Sequence, residues 1–470
     1  MSSLQPLLLI ILLAISACQT QPAGYSIAVN LEEAGSADSV YLYRYGGTAL
    51  TRLEAAPLKR GEARFTGTGL LDQGMYAIGV KPESSISFLI SEGASQHFSM
   101  SADPGKLPVS YQFNGSPENS AFAGYQQFMD SSFRFQTALN QRLQRNSSRE
   151  DSTRLLWAAI RELETAREKR LAAVNRDFPE SMVALYARAI REVPIPEPPI
   201  PLSAGNHDHL MQEHIFRHMT RHFFDGFPLS DPRITATPLL EKKLSFYFRQ
   251  LVHPHPDSVV TYAASILEKE DIHDLVYSQA AKTLYDLFRS SPLPEHQEVC
   301  SALGERFILP FRSRFTDTLF VERVEERTLK SRLNPPGSTA TDLLLQTPEG
   351  KQISLSEVEA SLIILYFFDP GCDACQSITE ELSGIYNTNK SKGIEVFAVY
   401  LGKERKAWTD YIASKKLHWI NVYDPDGTEK VEEKYDIYAM PMIYLLDRDK
   451  KVIARDVPVE QINNFLRESR

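Results

Sequence analysis

The residues best placed to do chemistry are Cys372 and Cys375, separated by Asp373 and Ala374 in the run Asp369-Pro370-Gly371-Cys372-Asp373-Ala374-Cys375. The run follows directly on Leu362-Ile363-Ile364-Leu365-Tyr366-Phe367-Phe368, an unbroken apolar stretch that reads as a buried strand, and a helical pattern follows it. At such a junction the first sulfur meets unpaired backbone N–H groups and the helix dipole, which favour the thiolate, the attacking species. The second lies one turn in, close enough to resolve a mixed disulfide formed on the first. Half of a zinc site has the same spacing. A zinc site would need two further ligands, yet the chain has no second CxxC, and His418 is its only histidine after His296. The pair therefore points to dithiol-disulfide exchange, with no metal and no organic cofactor.

The elements around the pair follow from the pattern. After Asn334-Pro335-Pro336-Gly337-Ser338 strands and helices alternate. Strands are predicted over 342–345, 362–368, 394–401, 419–423, 442–447 and 451–455, and helices over 374–386, 406–415, 431–435 and 459–467. That order, with Pro441 standing just before the apolar strand 442–447, resembles the thioredoxin fold with an N-terminal extension. Residues 334–470 look like the thioredoxin-like domain of the TlpA and ResA type, and the preceding regions resemble those found in lipoproteins of Bacteroidota. Outside that domain the similarity rests on Asn114 to Asn119, Phe223 to Arg233 and Pro256 to Val259.

Carried over residue by residue, the resemblance implies that Cys372 is the exposed nucleophile, Cys375 the buried resolving thiol and Pro441 the substrate-side cis-proline. A cis bond there would turn the Met440 backbone outward, where an extended substrate can pair with it. This sequence departs from the pattern at two places. Gly371 stands where Trp is common, which opens the site. Tyr366 stands where thioredoxins hold a buried acid, so the proton acceptor for Cys375 is open between Asp369 and Glu380. Either carboxylate could instead face water or cap the helix. Asp373 complements the helix N-terminus and also opposes the Cys372 thiolate by like-charge repulsion. A less stabilised thiolate makes a better reductant, so the expected potential lies nearer about -270 mV than the roughly -120 mV of a strong oxidant.

The rest of the chain sets the context. It has 470 residues, 43% hydrophobic and 24% charged, with a net charge of -9 that disfavours nucleic acid as a partner. Leu7 to Ala17 is about half as long as a membrane-spanning helix and reads as the apolar part of a signal peptide. Ile15-Ser16-Ala17-Cys18 resembles the lipobox of bacterial lipoproteins, although no Lys or Arg precedes it. The organisation read from the sequence is a signal peptide over 1–17, a lipid-anchor tether over 18–24, an antiparallel β-sandwich or barrel-like domain over 25–116, a helical domain over 117–333 and the thioredoxin-like domain over 334–470. Within the helical region, Pro194-Ile195-Pro196-Glu197-Pro198-Pro199-Ile200-Pro201 must run extended. His214, His218 and His222 recur every four residues, near His207 and His209, a spacing that suits a metal or a solvated face. Cys300 reads as a buried, inert thiol.

The expected function is an extracytoplasmic thiol-disulfide oxidoreductase acting on protein disulfides, lipid-anchored at Cys18 on the periplasmic side of a bacterial membrane, the outer ahead of the inner. Its dithiol would be restored by a membrane or periplasmic electron-donor protein. A peroxiredoxin-like peroxide reductase is the rival enzyme, disfavoured because Asp369 stands where such enzymes place a Thr. The other rival is a surface or periplasmic binding protein in which the redox domain is subordinate.

Overall fold

The computed structural model describes residues 24–31, 37–103, 110–145, 150–196, 200, 205–289 and 294–468. The signal segment 1–17 and Cys18 lie outside them. Backbone contacts divide the chain into two units, residues 1–243 and 244–470, with the division inside one helix of the middle region.

The first unit opens with eight strands, β1 (Tyr25–Leu31), β2 (Ser39–Gly46), β3 (Ala49–Pro57), β4 (Glu62–Gly67), β5 (Gly74–Gly79), β6 (Ile86–Ile90), β7 (His97–Asp103) and β8 (Ser110–Asn114). They form two four-stranded sheets, ordered β4-β1-β7-β8 and β3-β2-β5-β6. Ile27, Phe65, Phe98 and Phe113 of one sheet share a buried cluster with Leu42, Ile78 and Phe88 of the other. The expectation of a wholly antiparallel arrangement needs correction, because β1 runs parallel to β7 from Ser26 opposite His97 to Leu31 opposite Ala102. The connection from β2 to β6 supplies the crossover that a parallel pairing needs. Strand β3 escapes the sequence reading because most of its side chains face water, Leu53 among them, and no apolar alternation marks it.

Helices α1 (Pro117–Arg145), α2 (Glu150–Asp177), α3 (Met182–Ala189) and α4 (His207–His222) follow, and α5 (Leu239–Gln250) crosses the division. Asn119 ties α1 to β6, accepting from the Leu89 N–H at 2.7 Å and donating to its carbonyl at 2.9 Å. This gives the Asn114 to Asn119 stretch a structural task. The Phe223 to Phe227 stretch packs around Lys243, whose ammonium lies 4.4 Å from the Phe223 ring centre. Burial pushes that amine down to about 8.

The second unit holds α6 (Pro256–Leu267), α7 (Asp274–Arg289), α8 (Pro294–Leu303) and α9 (Thr318–Ser331), then a sheet-and-helix region. That region comprises β9 (Leu344–Gln346), β10 (Gln352–Ser354), β11 (Leu362–Phe368), α10 (Asp373–Asn389), β12 (Ile394–Tyr400), α11 (Arg405–Lys415), β13 (Ile420–Tyr423), α12 (Val431–Lys434), β14 (Met442–Asp447), β15 (Val452–Arg455) and α13 (Ile462–Glu468). The seven strands are ordered β10-β9-β13-β12-β11-β14-β15. Strand β11 is central, parallel to β12 and antiparallel to β14. All seven of its side chains are buried because both sheet faces are covered. Leu362, Ile364, Tyr366 and Phe368 pack with Cys375 and Leu382 on one face. Ile363, Leu365 and Phe367 pack with Tyr435, Met442 and Tyr444 on the other. The hairpin of β9 and β10 at the sheet edge is the N-terminal extension; β10, only three residues long, was not marked by the sequence pattern.

Candidate active site

The turn between β11 and α10 is built by Asp369. Its carboxylate accepts from the Gly371 N–H at 2.7 Å and its carbonyl from the Cys372 N–H at 3.1 Å. An Asp at the first position of such a turn fixes the backbone through its own side chain. The chain emerges with Cys372 as N-cap of α10, and the Cys372 sulfur accepts from the Cys375 N–H at 3.2 Å. The Cys372 sulfur thus occupies the position where a helix satisfies an orphan donor. No disulfide joins the pair; both are free thiols, Cys372 partly exposed and Cys375 buried.

Cys375 is 0% exposed, and its thiol is pushed up to about 12 by burial first, with the Cys372 thiol and the Asp369 carboxylate adding to the shift. A hydrogen bond from the Asp369 backbone works against it. Beneath the first turn of α10, the Tyr366 hydroxyl donates to the Cys375 carbonyl at 3.0 Å, and the Thr379 hydroxyl donates to the same oxygen at 2.7 Å. Tyr411 completes this group of hydroxyls near Cys375. Tyr366 is therefore a neutral hydrogen-bonding residue in the place of a buried acid.

The two proposed proton acceptors have different surroundings. Glu380 is exposed and pairs with Lys415 at 2.5 Å, which holds its carboxyl below the usual range. Asp369 is engaged in the turn, yet its charge acts on Cys375. Asp373 is exposed in the first turn of α10. The Met440-Pro441 bond is cis, and the Cys372 thiol points at the Met440 carbonyl oxygen 3.8 Å away. The structure thus gathers Cys372, Cys375, Asp369, Asp373, Tyr366, Met440 and Pro441 at one end of the sheet. Thr379 and Tyr411 were missed from the sequence; Thr379 stands four residues after Cys375 on the same helix face, a spacing that could have found it.

Elsewhere, the histidine stripe meets backbone. His214 Nε2 lies 3.3 Å from the Pro196 carbonyl and His218 Nε2 3.0 Å from that of Pro194, while His222 Nδ1 is 2.8 Å from Asp225. His214 and His218 thus meet the backbone at Pro194 and Pro196, and among the described residues no group of His, Cys, Asp and Glu is arranged to hold a metal ion. Cys300 is buried, its thiol facing the Tyr285 carbonyl at 3.7 Å and pushed up to about 12 by burial.

A central strand, a turn and a helix that opens on a cysteine pair opposite a cis-proline define a thioredoxin-like domain. Residues 336–455 match the AhpC/TSA family. Over 117 residues the chain is 28% identical to the thiol-disulfide oxidoreductase ResA of Bacillus subtilis, covering 25% of this chain and 64% of that one. It is 25% identical over 132 residues to the enzyme of the same name from Bacillus thuringiensis, covering 28% of this chain and 75% of that one. The chain thus spans less than two thirds of the first of these relatives. Among solved structures, a domain of a possible thiol-disulfide isomerase from Cytophaga hutchinsonii is 33% identical, covering 29% of this chain and 94% of that one, with a TM-score of 0.28. A thioredoxin-like protein from Bacteroides caccae is 20% identical, covering 60% of this chain and 100% of that one, with a TM-score of 0.46. The C-terminal segment is a thioredoxin-like domain homologous to enzymes named thiol-disulfide oxidoreductases.

Proposed function

We propose that the protein reduces disulfides in extracytoplasmic proteins through Cys372 and Cys375. The observation that carries this reading is the Cys372 sulfur capping α10, with buried Cys375 one turn behind and the Met440 carbonyl 3.8 Å in front. The Cys372 thiolate attacks one sulfur of a substrate disulfide, forming a mixed disulfide and expelling a thiolate that takes up a proton. Cys375 then attacks the Cys372 sulfur, releasing the second substrate thiol, and its own proton leaves with that product. Two electrons pass to the substrate and the protein is left with a Cys372-Cys375 disulfide. An electron-donor protein with a dithiol of its own must restore it. Asp369 is the carboxylate best placed to influence the second step, since its charge acts on Cys375.

The location follows from the leader: Cys18 after a short apolar run suits a lipidated N-terminus on the periplasmic side of a bacterial membrane. Mass spectrometry of the mature protein should find a diacylglyceryl Cys18. An unmodified N-terminus beyond Cys18 removes the anchor from the reading. For the activity, Cys375→Ala in living cells should accumulate mixed disulfides on Cys372 that wild type and Cys372→Ala do not. Rapid consumption of peroxide by wild type, with no disulfide trapped, would favour a peroxide reductase instead.

A further inference from the structure

Behind the loop that carries Met440 lies a cavity of about 160 Å³ whose lining includes Arg327, Asp436, Tyr438, Arg455 and Asp456. Arg327 belongs to α9, ahead of the 336–455 segment. Its guanidinium grips the Asp436 carboxylate with both terminal nitrogens, and Asp436 is only 1% exposed. Asp436 is fixed from two further sides, with Arg455 3.8 Å from its carboxylate and the Tyr444 hydroxyl donating to its carbonyl at 3.0 Å. The Arg327 guanidinium also lies 4.4 Å from the Tyr438 ring centre, and the Tyr438 hydroxyl donates to Asp456.

These contacts sit on the sheet face opposite the cysteines. Met442 and Tyr444, which line the cavity, pack with Phe367, whereas Cys372 and Cys375 pack with Tyr366 and Phe368. The loop from Asp436 to Pro441 is therefore braced from behind by α9 while the Met440 carbonyl faces Cys372.

Resting on the oxidoreductase reading above, we propose that Arg327 is a positioning residue for the redox site. Through Asp436 and Tyr438 it holds the Met440 backbone at the height over Cys372 at which an extended peptide disulfide can pair with it. A two-point guanidinium fork fixes the carboxylate in direction as well as distance, which a lysine ammonium does not do. The consequence is specific to peptide substrates. A small disulfide that cannot span from the sulfur to the Met440 backbone is indifferent to where that backbone lies.

The test compares the full-length wild type with Arg327→Lys and with the neutral pair Arg327→Gln/Asp436→Asn, neither of which leaves Asp436 as an unpaired buried charge. Each reduces a disulfide-linked peptide and, separately, hydroxyethyl disulfide. Both variants should raise KM for the peptide about tenfold, the equivalent of one or two lost hydrogen bonds. Their kcat and their rate with hydroxyethyl disulfide should stay at the wild-type level. An unchanged peptide KM, or an equal loss on both substrates, overturns the positioning role. A wild type inert toward both disulfides overturns the oxidoreductase reading itself, and this role with it.

Discussion

The Tyr366 hydroxyl donates to the Cys375 carbonyl across 3.0 Å, so that central strand β11 holds the first turn of α10 from beneath. The bond joins the strand to the turn that positions both sulfurs. Because the Thr379 hydroxyl reaches the same oxygen at 2.7 Å, the carbonyl keeps one partner when the other is removed. Tyr366→Phe should cost about 1 kcal/mol of stability, a typical net value for one hydrogen bond. Urea unfolding of the reduced protein measures it as a lower midpoint with an unchanged slope. Disulfide reduction should fall less than about twofold, since no proton passes through a neutral phenol that burial holds far above its ordinary range. A hundredfold loss of activity would make Tyr366 a participant in the chemistry.

On the oxidoreductase reading proposed above, Asp373 is expected to bias the direction of electron flow. It is exposed in the first turn of α10, next to the sulfur that caps the helix. Its charge opposes the thiolate while the helix terminus supports it, so removing the charge stabilises the reduced form. Asp373→Asn should move the potential toward more oxidising values from a wild type near about -270 mV. Equilibration against glutathione buffers measures both proteins. A wild type above about -180 mV would place the protein among oxidants or isomerases.

How far the sequence reveals this arrangement depends on the range of the interaction. The strand-turn-helix at Cys372 is legible because every part of it is local: seven apolar residues, an Asp-Pro-Gly turn and a helical period. Strand β14 is legible for the same reason, and Pro441 marks its start. Arg327 is not. It lies 109 positions from Asp436 and reads in the sequence as one more charge on an amphipathic helix. The parallel pairing of β1 with β7 is hidden likewise, since alternation shows which face is buried but not which neighbour is chosen. Strand β3 fails for a simpler reason, being mostly exposed. Residues 197–199 and 201 of the proline-rich segment lie outside the described residues, and the histidine contacts at its start, to the Pro194 and Pro196 carbonyls, arise only when α4 is laid beside it.

A pH dependence follows from the two buried thiols of the second unit. Cys300 is 0% exposed, and burial raises its thiol from an ordinary 9.0 to about 12. Cys375 shifts in the same direction to about 12. The folded protein therefore keeps two protons that the unfolded chain begins to release near pH 9. Since the native state binds more protons, stability falls as pH rises through the window from about 9 to 12 and is untouched below it. Each thiol contributes a slope of at most about 1.4 kcal/mol per pH unit. Between pH 9 and 10 the buried tyrosines, which ionise at about pH 10 once unfolded, add a slope of the same sign, so urea unfolding reads each thiol's share as a difference in slope between two forms of the protein. Cys300→Ala should remove one share, whatever its baseline cost in packing. Oxidation of Cys372 and Cys375 to a disulfide should remove the other, because the linked sulfur no longer titrates. Equal slopes for wild type and Cys300→Ala would mean that Cys300 is ionised as readily in the folded protein as in the unfolded one, contrary to its burial.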